Sequence, residues 1–375
     1  MINFAYFTSM RYYLILAITF FFYFPSILAQ PIITSFTPIS GVVGTSVTIS
    51  GTGFNTTTAN NIVIFGATAA TVTAATATEL TVTVPTGATY APVTVLNTST
   101  GLLAYTQSNF SPTFYPVFDG ITDADFSSMV DFTTGMGPRF VSIGDQDGDG
   151  RADLAVVNVI SSSVSVFRNT GSDGIVNYTE KVDLATGYSP QSVSLGDLDG
   201  DGKIDLVVAN EGSNSISVFH NTSSVGTINY ADKIDITTGS KPSSFSIGDL
   251  DGDGKADLAV ANNFSNTVSV LRNTGSVGTI SYADKVDITA GSAPSSISIG
   301  DLDGDGKADL AVTNFGSNSV SVFRNTGISG TISYADKVDI DTDLNPASVS
   351  IGDLDGDGKA DLAVANSGNS TISVF

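Results

Sequence analysis

The stretch DLDGDGKIDLVVAN, residues 197–210, joins a loop of alternating acid and glycine to a run of apolar residues. Its first nine residues recur as DQDGDGRAD from Asp145 and as DLDGDGKAD from Asp249, Asp301 and Asp353, always 52 residues apart and without insertion or deletion. A fixed period of this size marks stacked or radial supersecondary units, none of which buries a core alone. One unit offers four strand-like runs: YTEKVDLAT from Tyr178, QSVSLGD from Gln191, IDLVVAN from Ile204 and SISVFHN from Ser215. Three of them alternate apolar and polar residues, the period of a strand with one buried face. Leu206 to Ala209 is apolar throughout, as suits a strand covered on both faces. Gly, Ser, Asn and Pro separate the runs and leave helix no place. Four short antiparallel strands per repeat predict the blades of a β-propeller, in an all-β protein.

An aromatic precedes the KVD-like run of each unit at Tyr178, Tyr230, Tyr282 and Tyr334, and Phe126 holds the same phase one period earlier. The repeats therefore open with a KVD-like strand at 126–133 and extend to Phe375 at the end of a SISVF-like strand. Two arrangements follow. Either the entering strand completes the last blade and closes about five blades by strand exchange, which removes exposed edges, or the repeats are part of a larger propeller.

The acidic loop needs a reason. Asp197, Asp199, Asp201 and Asp205 against Lys203 alone leave a charge of −3 within nine residues, and such crowding is unfavourable unless a cation sits among the carboxylates. Donors that are all oxygen select a hard ion, and an irregular loop suits Ca²⁺ better than the strictly octahedral Mg²⁺. Positions 1, 3, 5 and 9 supply side-chain oxygens, position 7 a backbone carbonyl, and glycine at position 6 permits the sharp turn. An EF-hand is excluded. It needs a bidentate Glu at position 12 and flanking helices, whereas Val156, Val208, Val260, Val312 and Val364 stand there between strands.

The D-x-D-x-D-G-x-x-D loop, with its SIGD and ADLAV flanks, resembles the calcium loop of FG-GAP/VCBS repeats, as in integrin α-subunit propellers. Carried over by position, the resemblance implies as ligands Asp145, Asp147, Asp149, the Arg151 carbonyl and Asp153 in the first loop. In the second they are Asp197, Asp199, Asp201, the Lys203 carbonyl and Asp205. The third has Asp249, Asp251, Asp253, the Lys255 carbonyl and Asp257, and the fourth Asp301, Asp303, Asp305, the Lys307 carbonyl and Asp309. Asp353, Asp355, Asp357, the Lys359 carbonyl and Asp361 complete the fifth. In that family most such ions are structural, tying the hairpin between the first two strands of a blade. About five Ca²⁺ ions would supply +10 and bring the formal charge from −22 to −12.

Composition agrees. Of the 37 acidic residues 34 are Asp and only Glu79, Glu180 and Glu211 are Glu, so the acid favours turns over helices. Charged residues make up 14% of the 375 and apolar ones 41%, which excludes simple disorder. So negative a surface makes nucleic acid an improbable partner. With no Cys and one His, His220, thiolate zinc sites, disulfides and thiol nucleophiles are excluded. His220 takes the place held by Arg168, Arg272 and Arg324 in other units and reads as a polar cap at a strand end, while the position-7 lysines read as outward solubility charges.

Ahead of the repeats, Tyr12 to Ala29 is apolar behind Arg11 and reads as part of a signal peptide spanning 1–29. Export without disulfides calls for other reinforcement, which calcium supplies. Residues 31–114 carry Glu79 as their sole charge and alternate at Leu80, Val82 and Val84 and at Val93 and Val95, the pattern of a β-sandwich. PIITSFTPISGVVGTSVTISGTGFN (31–55), NIVIFG (61–66) and TELTVTVPTG (78–87) resemble the IPT/TIG family of immunoglobulin-like domains, which implies a spacer or interaction module without catalytic residues. A linker at 115–125 then leads into the propeller repeats of 126–375.

The expected protein is a secreted or cell-surface adhesion and recognition scaffold, not an enzyme, with no membrane span in the mature chain. Its partner is an unidentified protein or glycan. The surface expected to meet it lies opposite the calcium loops, where the repeats differ most: Ile160, Tyr188, Glu211, Lys241, Phe264, Phe315 and Asp341 to Asp343. The alternatives are a non-catalytic part of a secreted enzyme or polysaccharide-binding protein, and an architectural element of a longer surface protein.

Overall fold

The computed structural model describes residues 30–66, 68–113, 129–172, 175–355 and 357–375. The expected signal peptide, the expected linker at 115–125 and Phe126 lie outside them. No helix among the described residues is long and apolar enough to cross a membrane.

Eight strands form the N-terminal unit: β1 (Ile32–Thr37), β2 (Ser40–Gly41), β3 (Ser46–Thr52), β4 (Asn61–Phe65), β5 (Thr68–Ala75), β6 (Glu79–Thr83), β7 (Ala91–Asn97) and β8 (Leu102–Pro112). They pair in the order β1-β3-β6-β5-β4-β7-β8-β2. Because β5 pairs with both β4 and β6, the two faces of the immunoglobulin-like unit are joined into one sheet that curls around a shared core. The predicted alternation puts Val47, Ile49, Leu80 and Val82 inside, with the intervening threonines only half-buried. Phe65 meets Phe110 edge-on at 4.9 Å in that core.

Five sheets follow. The first comprises β9 (Pro138–Gly144), β10 (Asp153–Asn158), β11 (Ser163–Phe167) and β12 (Val182–Ala185). The second has β13 (Pro190–Gly196), β14 (Asp205–Asn210), β15 (Ser215–Phe219) and β16 (Ile234–Thr237), and the third β17 (Pro242–Gly248), β18 (Asp257–Asn262), β19 (Thr267–Leu271) and β20 (Val286–Thr289). The fourth holds β21 (Pro294–Gly300), β22 (Asp309–Asn314), β23 (Ser319–Phe323) and β24 (Val338–Asp341), and the last β25 (Pro346–Gly352), β26 (Asp361–Asn366) and β27 (Thr371–Val374). All pairing is antiparallel, and β9, β13, β17, β21 and β25 lie side by side in succession. These are propeller blades, the first four each closed by its KVD-like strand.

The unbroken apolar run of β14 now has its cause. Leu206 and Val208 join Val157 and Val166 of the first blade in one core, while Val207 and Ala209 join Leu258 and Val260 of the third in another. A strand between two blades must be apolar on both pleats, and β18 and β22 are likewise buried at every residue. Truncating such a side chain to alanine costs ~2–5 kcal/mol. At the end of β14 a polar ladder runs outward across the sheet: Asn210 Nδ2 donates to Ser217 Oγ at 2.8 Å, and that hydroxyl donates to Asp235 at 2.6 Å.

Among the described residues no strand-exchange clasp forms. Residues 129–133 are in no strand, and the last sheet has three strands among the described residues. Phe132 instead packs edge-on against Tyr178 at 5.1 Å and against Phe167 at 6.3 Å. Those aromatic contacts hold the entering segment on the first blade.

Candidate metal centres

Each acidic loop is the hairpin between the first two strands of its blade, as between β13 and β14. The first aspartate folds the loop over itself: Asp197 Oδ1 accepts from Gly200 N–H at 2.8 Å and Oδ2 from Gly202 N–H at 2.9 Å. Gly202 has φ +86°, and the position-6 glycines Gly150, Gly254, Gly306 and Gly358 share that left-handed conformation, which side chains with a Cβ rarely adopt. The ninth residue locks the far side, Asp205 Oδ2 accepting from Leu198 N–H at 2.9 Å and Oδ1 from Asn221 N–H at 2.8 Å. Asp353 and Asp361 accept the corresponding amides of Gly358 and Leu354 in the fifth loop.

This folding brings positions 1, 3 and 9 together. Ligand oxygens of Asp145, Asp147 and Asp153 lie within 4.8 Å of one another, as do those of Asp197, Asp199 and Asp205, of Asp249, Asp251 and Asp257, and of Asp301, Asp303 and Asp309. Position 5 stands apart from these trios. Asp149 pairs with Arg151 at 2.9 Å and Arg168 at 3.0 Å, and Asp201 groups with Asp199 and His220. Among the cations at position 7, Lys255 lies 3.7 Å from Asp253, and Lys359, exposed to solvent, lies 3.1 Å from Asp357. His220 is more than a strand cap, for its Nε2 lies 3.3 Å from Asp199 Oδ2.

The donors fit a hard cation. Asp199 Oδ2 and Asp251 Oδ2 are buried and accept no hydrogen bond, so each is a carboxylate oxygen whose missing partner a cation can be. The profile of the FG-GAP-like repeat matches residues 145–208, 197–260, 249–312 and 305–364, more than half of the chain. The chain belongs to the FG-GAP-like repeat family. An IPT/TIG domain precedes the repeats at 31–114. No curated protein matches the chain. Among solved structures, an auxiliary nutrient binding protein from Bacteroides ovatus is 13% identical over 92% of this chain and 98% of its own, with a TM-score of 0.34. A periplasmic gluconolactonase from Pseudomonas aeruginosa is 18% identical over 77% and 74%, with a TM-score of 0.45. Likeness of this size says nothing of activity.

Electrostatics give the FG-GAP-like loops their demand for charge. Burial pushes the Asp205 and Asp257 carboxyls up to about 8 and those of Asp153 and Asp197 up to about 7; backbone amides offset part of this, and neighbouring aspartates add to it. A cation supplies what the protein alone does not.

Two sets of residues around these loops were not anticipated. Asn221 donates through Nδ2 to Ile204 O and to Gln146 O of the preceding loop, both at 2.8 Å, and Asn273 and Asn325 do the same toward Leu198 and Leu250. The fixed offset of 16 residues from each ninth-position aspartate was the available signal. The second set belongs to the immunoglobulin-like unit, which rests on loops two and three instead of standing off as a spacer. Leu103 N–H donates to Gly254 O at 3.0 Å, Gln30 Nε2 donates to Asp249 Oδ2 at 3.1 Å, and Leu96 and Leu103 are buried with Leu198, Ala256 and Ile280.

Proposed function

We propose that the protein is an exported, calcium-stiffened recognition scaffold whose ions hold the blades while the opposite face meets a protein or glycan partner. The observation that carries it is the recurrence of a three-aspartate cluster, buried in the first two loops and more open in the fourth, at one end of successive blades, each wired to the next by an asparagine. The same aspartates are the ligands that the family resemblance assigns, and Ca²⁺ is the hard ion that such an oxygen set suits. Ions so placed act on the hairpins that order each blade, which is a structural and not a catalytic role.

The hairpins at the other end, between the second and third strands of each blade, and the turns that join successive blades there carry the recognition side chains. Ile160, Tyr188 and Phe264 are exposed there, Lys241 pairs with Glu211 at 3.6 Å and its Nζ lies 5.9 Å from the centroid of the Phe264 ring. Exposed aromatics and charges on a rigid repeated frame suit partner binding. A glycan and matrix-protein array, run with calcium, is expected to return a partner whose affinity falls at least about tenfold in Phe264→Ala combined with Phe315→Ala. Full affinity in that double variant would remove this face from the proposal.

A further inference from the structure

The second blade departs from its neighbours at the residue after its third strand. Arg168 reaches Asp147 and Asp149, Arg272 lies 3.6 Å from Asp251, and Arg324 lies 3.7 Å from Asp303. In the second blade this place belongs to His220, whose Nε2 lies 3.3 Å from Asp199 Oδ2 and 3.5 Å from Asp201 Oδ2. The three side chains offer one imidazole nitrogen and two carboxylate oxygens, all within 4.8 Å of one another. An arginine brings its own charge to the loop rim and has no lone pair to donate. The imidazole brings a lone pair and leaves the charge to be supplied from outside.

The burial of Asp199 marks the same spot. The Asp199 side chain is fully buried, and its Oδ2 accepts no hydrogen bond. Gly278 N–H, from the neighbouring blade, favours the charged Asp199 carboxylate. Imidazole with carboxylates is a donor set for borderline divalent transition ions, whereas calcium takes oxygen alone.

We propose that Asp199, Asp201 and His220 form a site for one divalent transition-metal ion, of which Zn²⁺ is the natural probe, on the rim of the second loop. It adds a nitrogen-bearing centre to a series that is otherwise all oxygen, and it shares Asp199 with the oxygen cluster of that loop. It stands whether or not calcium fills the other clusters, because its selectivity comes from the imidazole.

His220 is the sole imidazole of a chain without cysteine, so the test is clean. Zn²⁺ is titrated calorimetrically into untagged protein in millimolar calcium, while the His220 ring nitrogens are followed by ¹⁵N NMR. Uptake of one Zn²⁺ per chain with a shift of both ring signals is expected. His220→Arg, which restores the residue of three other blades, should weaken that uptake at least about tenfold with no change of melting temperature in calcium. Arg272→His should create a second Zn²⁺ site on the third blade. Unchanged uptake in His220→Arg, or unmoved ring signals at saturation, would overturn the proposal and mark the zinc as adventitious. The calcium reading is judged separately, by melting in chelator.

Discussion

Loops three and four have the same nine residues, DLDGDGKAD, yet they are different electrostatic objects. The Asp251 side chain is wholly buried, while that of Asp303 is 36% exposed. Two covers make the difference. The immunoglobulin-like unit lies on loop three through Leu103 and Gln30, and Gly330 of the next blade donates to Asp251 O at 3.0 Å. Burial and then Asp253 raise the Asp251 carboxyl to about 6. Identical ligands can thus differ in how strongly they require a cation, because the requirement is set by the solvent left around them.

The largest test of that contrast is removal of the ions altogether. At a free calcium of 100 times Kd one site stabilises by ~2.7 kcal/mol, and in a unit of this size each ~1 kcal/mol moves Tm by roughly 2–4 °C. Chelation is therefore expected to lower Tm by at least about 5–10 °C, with the covered loops contributing most. A melting curve unmoved by EDTA would break the structural role of the loops.

Single substitutions sharpen it. In calcium, Asp251→Asn is expected to cost about 2 kcal/mol and Asp303→Asn less than about 1, since a lost charge partner matters more where water cannot replace it. In chelator the order should invert, Asp251→Asn becoming neutral or stabilising because it removes a buried charge. Equal effects at the two positions would show that the covers are irrelevant to the ions.

The smallest effect is the dependence on pH. A carboxyl whose folded pKa exceeds the ~3.9 of an unfolded chain costs nothing in acid and destabilises progressively as pH rises through its folded value. For Asp153, Asp197, Asp205 and Asp257 that window runs from about 4 to 7 or 8. Calcium-free protein should lose a few degrees of Tm between those limits, and saturating calcium should flatten the slope. A Tm that rises with pH in calcium-free protein would contradict the assigned burial.

Much of this was legible before any coordinate. The 52-residue period, four strands per unit and the aspartate trios all follow from local pattern, because hairpins and Asx-type turns are built from neighbours in sequence. What depends on distant surfaces was not. Leu96 and Leu103 alternate like any core residues of a sandwich, and nothing in that alternation tells that their partners are Leu198 and Ile280. The entering segment kept the phase of a strand, but its phenylalanine found a better aromatic neighbour in Tyr178 than an edge to pair with. Position 5 has neighbours that spacing does not announce: Asp149 meets a guanidinium and Asp201 an imidazole, each from 19 residues on.

The asparagine between loops has a consequence for how the ions behave as a population. Asn221 holds the ninth aspartate of its own loop with its amide and the backbone of the preceding loop with its side chain. Were ions to fill the centres, occupancy of one would be felt by the next along the chain and by few others, as in a one-dimensional lattice with nearest-neighbour coupling. With favourable coupling such a lattice would fill in runs instead of at random, and a single broken centre would divide it into two shorter segments that saturate independently.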